Sequence, residues 1–289
     1  MTKTWLITGS ANGLGRNITE AVLANGDRVV ATARNPARLD DLAARYGEQI
    51  KIAALDVTDA AAAKAAVTLA VDSFGGLDVL VNNAGYGQLS PFEQTSEDEF
   101  KAQIDTNFYG VVNLTRAALP VMRAQRSGHI INISSIGGRV GTPGFSAYQA
   151  AKWAVGGFTE VLAKEAAPFG VKVVALEPGG MRTNWGHTAM DNPLDLLPDY
   201  QPSVGAVAGM LKGYAGSEFG DPEKIARVIW DLSRRDELPA HLILGSDALF
   251  VFGLEEAARN KAAAEWGPVS RSTDFDGSDL SVLSGATGH

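Results

Sequence analysis

The run Thr8-Gly9-Ser10-Ala11-Asn12-Gly13-Leu14-Gly15 begins at the end of a short apolar segment, Trp5–Thr8, and leads into a stretch of helical periodicity. A strand that turns through three glycines into a helix is a restrictive arrangement. Glycine permits positive φ and close approach of backbone to backbone or ligand. The first N–H groups of the helix have no partners within it, and its dipole is positive at that end. Such a turn suits an anionic group such as a pyrophosphate.

Further apolar runs follow at Arg28–Ala33, Ile50–Leu55, Val79–Asn82, His129–Ile133, Lys172–Glu177 and His241–Leu244. They are apolar on both faces, as strands buried on both sides of a parallel sheet must be. Ala- and Leu-rich amphipathic stretches separate them. The alternation predicts an α/β fold, a Rossmann-like doubly wound parallel sheet of about seven strands with helices on both faces. Asp59 is placed to cap a helix over Ala60–Phe74, and Ser96 with Glu99 has capping-box spacing. The helix that follows is expected through Phe100–Gln125, kinked or ended by Pro120. Asp221-Pro222 opens another through Arg234. Residues 184–220 break the alternation around a short helical piece, Ser203–Tyr214. One domain is expected over residues 1–265, with a loose or partner-docked tail over 266–289.

The chain has 289 residues, 45% of them hydrophobic and 20% charged, enough for a sizeable core. A net charge of −8 disfavours nucleic acid or an anionic membrane surface as a partner. With no cysteine, disulfides, thiolate metal sites and cysteine nucleophiles are excluded. The amino-terminal residues lack the apolar core of a signal peptide, and no stretch approaches the roughly 20 apolar residues of a membrane span. A cytoplasmic protein is expected. No His/Asp/Glu pattern marks a metal site, and His187 has no evident partner.

The glycine spacing, Thr8-Gly9-x-x-x-Gly13-x-Gly15, resembles that of the short-chain dehydrogenase/reductase family. Further matches follow in chain order: Asp56-Val57 after the third strand, Asn82-Asn83-Ala84-Gly85 after the fourth, Asn107, Ser135, Tyr148-Gln149-Ala150-Ala151-Lys152, Pro178-Gly179 and Thr183. Ser135 precedes Tyr148 by the family's usual spacing. The resemblance covers roughly residues 4–250. The segment from Glu177 to Trp185, with the long carboxyl terminus, looks like bacterial members related to hydroxysteroid dehydrogenases.

The resemblance implies a nicotinamide cofactor held by Gly9, Ser10, Asn12, Gly13, Leu14 and Gly15, with Asp56 and Val57 at the adenine. Asn83, Ala84 and Gly85 line the adenosine side; for Asn82 a purely structural role is equally open. Pro178, Gly179, Met181 and Thr183 meet the nicotinamide, while Lys152 and Tyr148 meet its ribose and ring. In the implied catalytic set Tyr148 is acid/base and Ser135 orients the substrate oxygen, with Ser134 its adjacent competitor. Lys152 supports Tyr148, and Asn107 holds a water for proton resupply. A neighbouring ammonium is expected to lower the phenol's usual pKa of about 10.

NAD-selective sites place a carboxylate at the end of the second strand to bind the ribose 2′-hydroxyl. Ala33 stands there, followed by Arg34, with Arg38 one turn later. A guanidinium suits a 2′-phosphate, so NADP(H) is expected. The segment 184–220 corresponds to the family's substrate-covering lid. Its Trp185, His187, Met190, Leu194, Leu196, Leu197 and Tyr200, with Phe145, Tyr86 and Gln88 nearby, imply a small apolar or aromatic carbonyl compound or the matching secondary alcohol. A lyase or epimerase on the same fold and a non-enzymatic NADP(H)-sensing regulator are the alternatives. Such regulators often lose part of the Ser/Tyr/Lys set, which this chain keeps. The family's habit implies a homo-oligomer, a dimer or tetramer, through the helices holding Asn107 and Tyr148.

Overall fold

A computed structural model of the chain describes residues 2–189 and 195–283. Its seven strands are β1 (Thr4–Ile7), β2 (Arg28–Ala33), β3 (Ile50–Ala54), β4 (Val79–Asn82), β5 (Gly128–Ile133), β6 (Val171–Pro178) and β7 (His241–Leu244). Each lies within one residue of its expected bounds. They form one sheet in the order β3-β2-β1-β4-β5-β6-β7, every pairing parallel. Leu6 of β1 pairs with Val30 on one side and Leu80 on the other. The winding reverses at this point, which opens a crevice beyond the carboxyl ends of β1 and β4.

The helices are α1 (Gly13–Ala24), α2 (Asp40–Tyr46), α3 (Ala60–Phe74), α4 (Glu97–Ile104), α5 (Gly110–Gln125), α6 (Ser146–Ala166), α7 (Trp185–Ala189), α8 (Ala206–Tyr214), α9 (Pro222–Leu232) and α10 (Ser246–Arg271). Successive side chains of a strand point to opposite faces. Trp5 and Ile7 therefore join Ile18 and Val22 of α1 and Ile229 of α9 in one core layer. Leu6 faces the other layer with Val67 of α3, Leu114 of α5 and Leu162 of α6. Both layers are dry, which explains strands without a polar face. Each large side chain so buried contributes roughly 1.5–3 kcal/mol.

Three helix starts follow the sequence signals. Asp59 accepts from the N–H groups of Ala61 and Ala62 at 2.7 and 3.0 Å. Ser96 and Glu99 close a reciprocal capping box at the start of α4. Asp221 caps α9, with Pro222 in its first turn.

The stretch expected as one helix over Phe100–Gln125 departs from that expectation. It begins at Glu97 and is interrupted by a π-helical turn, Asp105–Tyr109, before α5. Pro120 lies inside α5 without ending it; Ala118 and Met122 on either side are fully buried and hold the segment in place. The piece expected at Ser203–Tyr214 starts earlier, with a π turn over Gln201–Gly205 that runs into α8.

By their contacts the residues group into Met1–Leu249 and Phe250–His289. The final helix, α10, continues past Trp266 and through Pro268 to Arg271, and a short 3-10 turn follows at Leu280–Leu283. Among the described residues no helix is long and apolar enough to cross a membrane. Met190, Leu194 and the side chain of His187 lie outside the described residues.

Candidate active site

A cleft of about 990 Å³ opens at the carboxyl ends of the strands. Of the residues that the resemblance assigns to the cofactor or to catalysis, all but Ser10 and Asn107 line it; of those expected on the substrate side, Tyr86, Phe145 and Trp185 line it, whereas Gln88, Leu196, Leu197 and Tyr200 do not.

Its floor on one side is the glycine turn. Gly9 and Gly13 have φ of +69° and +52°. A Cβ on Gly15 would overlap the Gly9 carbonyl oxygen and the Asn83 amide. Asn83 ties this turn to the end of β4: its Nδ2 donates to the Thr8 carbonyl at 2.8 Å, and its backbone N–H donates to Thr8 Oγ1 at 2.9 Å. The N–H of Ala84 donates to the same hydroxyl at 2.9 Å. Asn12, the N-cap of α1, places no side-chain bond on the helix end, so the first amides remain available to a ligand. Ser10 turns its side chain inward. It is fully buried, and its hydroxyl donates to the Ile7 carbonyl at 3.0 Å, so it shapes the turn rather than facing the cleft.

At one end of the cleft, Ala33 is buried and presents no carboxylate, while Arg34 and Arg38 are exposed along the lining. Asn35 caps the short turn carrying Arg38 by accepting from the Ala37 N–H at 3.2 Å. Asp56 accepts from the N–H and hydroxyl of Thr58. These bonds, with a smaller contribution from the Arg34 charge, hold its carboxyl below the usual range.

At the other end α6 presents Tyr148 and Lys152 one turn apart, on the shared face that an i, i+4 pair requires. Both are at least nine-tenths buried. Ser135 lies close enough to Tyr148 to pull its phenol pKa down, and its Oγ accepts from the Gly137 N–H at 3.0 Å. Ser134 points away: its hydroxyl donates to the Lys152 carbonyl at 3.2 Å. Ser135, rather than Ser134, is thus the serine whose hydroxyl acts on the phenol.

The electrostatics correct one expectation. Burial pushes the Tyr148 phenol up to about 12, against the smaller opposing pull of Ser135. Burial also pushes the Lys152 ammonium down to about 8. Lys152 Nζ donates to the Ile133 carbonyl at 2.7 Å and lies 5.6 Å from the centre of the Tyr148 ring. Desolvation of the phenolate dominates, and the phenol keeps its proton at neutral pH.

Asn107 sits in the π turn of the long helical segment, fully buried. Its Nδ2 donates to the carbonyls of Tyr86 and Gln103 at 2.9 and 2.8 Å, and its Oδ1 accepts from the Tyr86 N–H at 3.0 Å. Both amide hydrogens are thus spent on backbone, unlike those of a residue turned to the cleft. A Cβ on Gly85 would come within 2.5 Å of Asn107 Oδ1 and 3.5 Å of Lys152 Nζ, so the three are immediate neighbours. Asn82 belongs to a buried chain beneath: its Nδ2 donates to Asn132 Oδ1 and Thr115 Oγ1, and Asn132 donates to Thr159 Oγ1.

Sequence reasoning did not single out Asp247. Its Oδ2 accepts from the Gly180 N–H at 2.9 Å and crowds the place where Gly179 would carry a Cβ, so it holds the Pro178-Gly179-Gly180 bend. A Gly-Ser-Asp sequence at a helix start was the available signal. Over the reacting end, Trp185, Leu196 and Tyr200 pack on the small cluster of Leu89, Phe145, Tyr148 and Val204. Among the described residues no group of three or more acidic or histidine side chains gathers as for a metal.

Residues 3–193 match the family described as short chain dehydrogenase. Oxidoreductase BOA17 of Botryotinia fuckeliana is 46% identical over 271 residues, 93% of this chain and 98% of the relative. A short-chain dehydrogenase from Streptomyces avermitilis superposes with a TM-score of 0.86 at 39% identity, covering 95% of this chain and all of the other. An alcohol dehydrogenase from Thermococcus sibiricus, solved with 5-hydroxy-NADP, gives a TM-score of 0.69 at 25% identity, covering 85% and 97% of the two chains.

Proposed function

Because the chain belongs to the short-chain dehydrogenase family of oxidoreductases, which use nicotinamide cofactors, we propose that it interconverts a carbonyl and a secondary alcohol on a small apolar or aromatic molecule, with NADP(H) preferred over NAD(H). The observation that carries this reading is the convergence of Ser135, Tyr148 and Lys152 on the cleft that the glycine turn also lines.

The residues present fit a phosphorylated dinucleotide. Gly15 lets the turn close on the Gly9 carbonyl and the Asn83 amide, where any Cβ would clash, and Gly9 and Gly13 take the positive φ that the turn needs. Uncapped amides at the start of α1 suit an anion, and Arg34 follows a strand end without a carboxylate. The Thermococcus sibiricus neighbour, complexed with 5-hydroxy-NADP, favours the same cofactor. When bound, the nicotinamide ring supplies or accepts the hydride.

Tyr148 then gives its proton to the carbonyl oxygen as negative charge grows there. Ser135 holds that oxygen by a hydrogen bond, where a preformed donor is most effective. Lys152 is placed so that it would hold the cofactor's ribose hydroxyls, and its ammonium adds positive charge near the phenol. Asn107 fixes Tyr86 and Gly85 beside Lys152 through its backbone bonds. The reverse reaction needs Tyr148 as a base, and additional positive charge in the loaded site favours that state.

Tyr109 and Val161, exposed on the helical segments that carry Asn107 and Tyr148, support a homo-oligomer, checked by light scattering. The reading includes a cytoplasmic location, which a chain free of cysteine suits. The decisive experiment is a panel of ketones, aldehydes and alcohols monitored by NADPH absorbance. Stoichiometric NADPH consumption with a carbonyl compound is expected; dinucleotide binding without turnover across the panel would overturn the assignment in favour of a sensor.

A further inference from the structure

Trp185 is held at both ends of its short helix. Its N–H donates to Thr183 Oγ1 at 3.3 Å, and the carbonyl of Ala189, the last residue of α7, accepts from the Leu89 N–H at 2.9 Å. The indole so fixed lies against Tyr148, with ring centres 5.2 Å apart, and stacks on Phe145 at 5.9 Å and 26°. Close by is Gly87. A Cβ there would come within 2.6 Å of Trp185 Cζ2 and 3.3 Å of Tyr148 Cδ2. Gly87 has no positive φ, so the backbone does not demand glycine at this position. What the missing side chain provides is a seat for the indole.

We infer that Trp185, seated against Gly87, determines substrate shape by admitting carbonyl compounds with one small arm and one long apolar arm. This rests on the carbonyl reading above. The substrate oxygen must reach Tyr148 and Ser135, and the space beside Tyr148 toward Phe145 is filled by the indole. Elsewhere the cleft is lined by Met210, which is 59% exposed, and by Leu211 and Tyr214, an apolar wall for a long substituent. A larger group on the indole side has to displace a stacked ring whose backbone is pinned at Thr183 and Leu89. Pockets of this kind discriminate by roughly 10–200-fold per methylene-sized misfit.

The isomers 2-nonanone and 5-nonanone test this, because they share one formula and differ in how carbon is divided between the two arms. Their ratio is read as kcat/KM with NADPH and as Kd by calorimetry, in the wild type and in Trp185→Ala, Trp185→Phe and Gly87→Ala. The wild type should prefer 2-nonanone by at least about tenfold in both readouts. W185A should bring the ratio below about threefold by gaining on 5-nonanone, with W185F between them. G87A should change the ratio in the wild type and have little effect in the W185A background. An unchanged ratio in W185A and W185F, or an equal effect of G87A in both backgrounds, overturns the inference. Binding ratios that shift as stated, with neither ketone reduced, would instead remove the carbonyl reading and leave the steric role of Trp185 standing.

Discussion

Lys152 carries its ammonium 5.6 Å from the centre of the Tyr148 ring yet donates to the backbone carbonyl of Ile133. The two side chains share a helix face and are both buried at the cleft lining, without a direct hydrogen bond between them. Each is therefore driven by burial toward its neutral form, the phenol keeping its proton and the ammonium losing its proton more readily.

The first expected outcome concerns the phenol. Tyr148→Phe keeps the ring against Trp185 and removes only the proton donor. Turnover with a ketone should fall by about 10²–10⁴-fold, the usual worth of a positioned acid. NADPH affinity, measured by fluorescence titration, should stay within about threefold, since the dinucleotide cradle is untouched. Turnover that survives the substitution would exclude Tyr148 as the acid.

Lys152 gives a stability prediction of definite sign. In the unfolded chain its amine titrates near 10.4, and in the fold at about 8. Below pH 8 both states carry the proton, and the cost of a buried charge is present in full. Between these values the unfolded state binds more protons, so this group's contribution to stability rises with pH. Lys152→Met should therefore stabilise the cofactor-free protein at pH 7 by about 1–3 kcal/mol after allowing for the lost bond to Ile133. The gain should shrink toward pH 10.5. Urea unfolding at pH 7 and pH 10 measures it, and a variant less stable at pH 7 would contradict the argument.

Asn83 holds the glycine turn by donating to the Thr8 carbonyl. Asn83→Asp has the same shape but offers an acceptor where a donor is required. Loss of about 1–3 kcal/mol in stability is expected, with weaker dinucleotide binding, by calorimetry and by titration. Wild-type melting and affinity in this variant would show that the bond is dispensable.

Arg34 is the discriminating cation of the proposed cofactor preference. Arg34→Ala should raise KM for NADPH by about 10–100-fold, the loss of one or two charge-assisted hydrogen bonds, and change KM for NADH by less than about threefold. Equal effects on the two dinucleotides would remove the preference from this residue.

The sheet and the glycine turn were legible because each strand announces itself locally, through β-branched runs buried on both faces and bounded by capped helices. Tyr148 and Lys152 were legible by spacing, since four residues on a helix put both on one side. What the spacing could not convey was depth. The direction of the phenol shift follows from how much protein covers it, and part of that cover comes from Trp185, 37 residues further along the chain, packed on Tyr148 and on the neighbouring Phe145. The inward turn of Ser10 was hidden for a related reason: its hydroxyl finds a backbone carbonyl inside the turn, a local choice invisible in a motif. The pairing of Gly87 with Trp185 spans nearly a hundred positions and has no periodic signature.

The π turn at Asp105–Tyr109 carries a separate lesson about phase. In an α-helix each residue advances the face by about 100°, so one extra residue rotates everything downstream by that angle. A reader applying one period from Phe100 to Gln125 loses step at this point. The chain itself gains by it, because Asn107 is carried by the slip to a place where its amide meets Tyr86 and Gln103 while α5 still turns Leu114 and Ala118 into the core. Deleting a single codon there would force a choice between the two alignments.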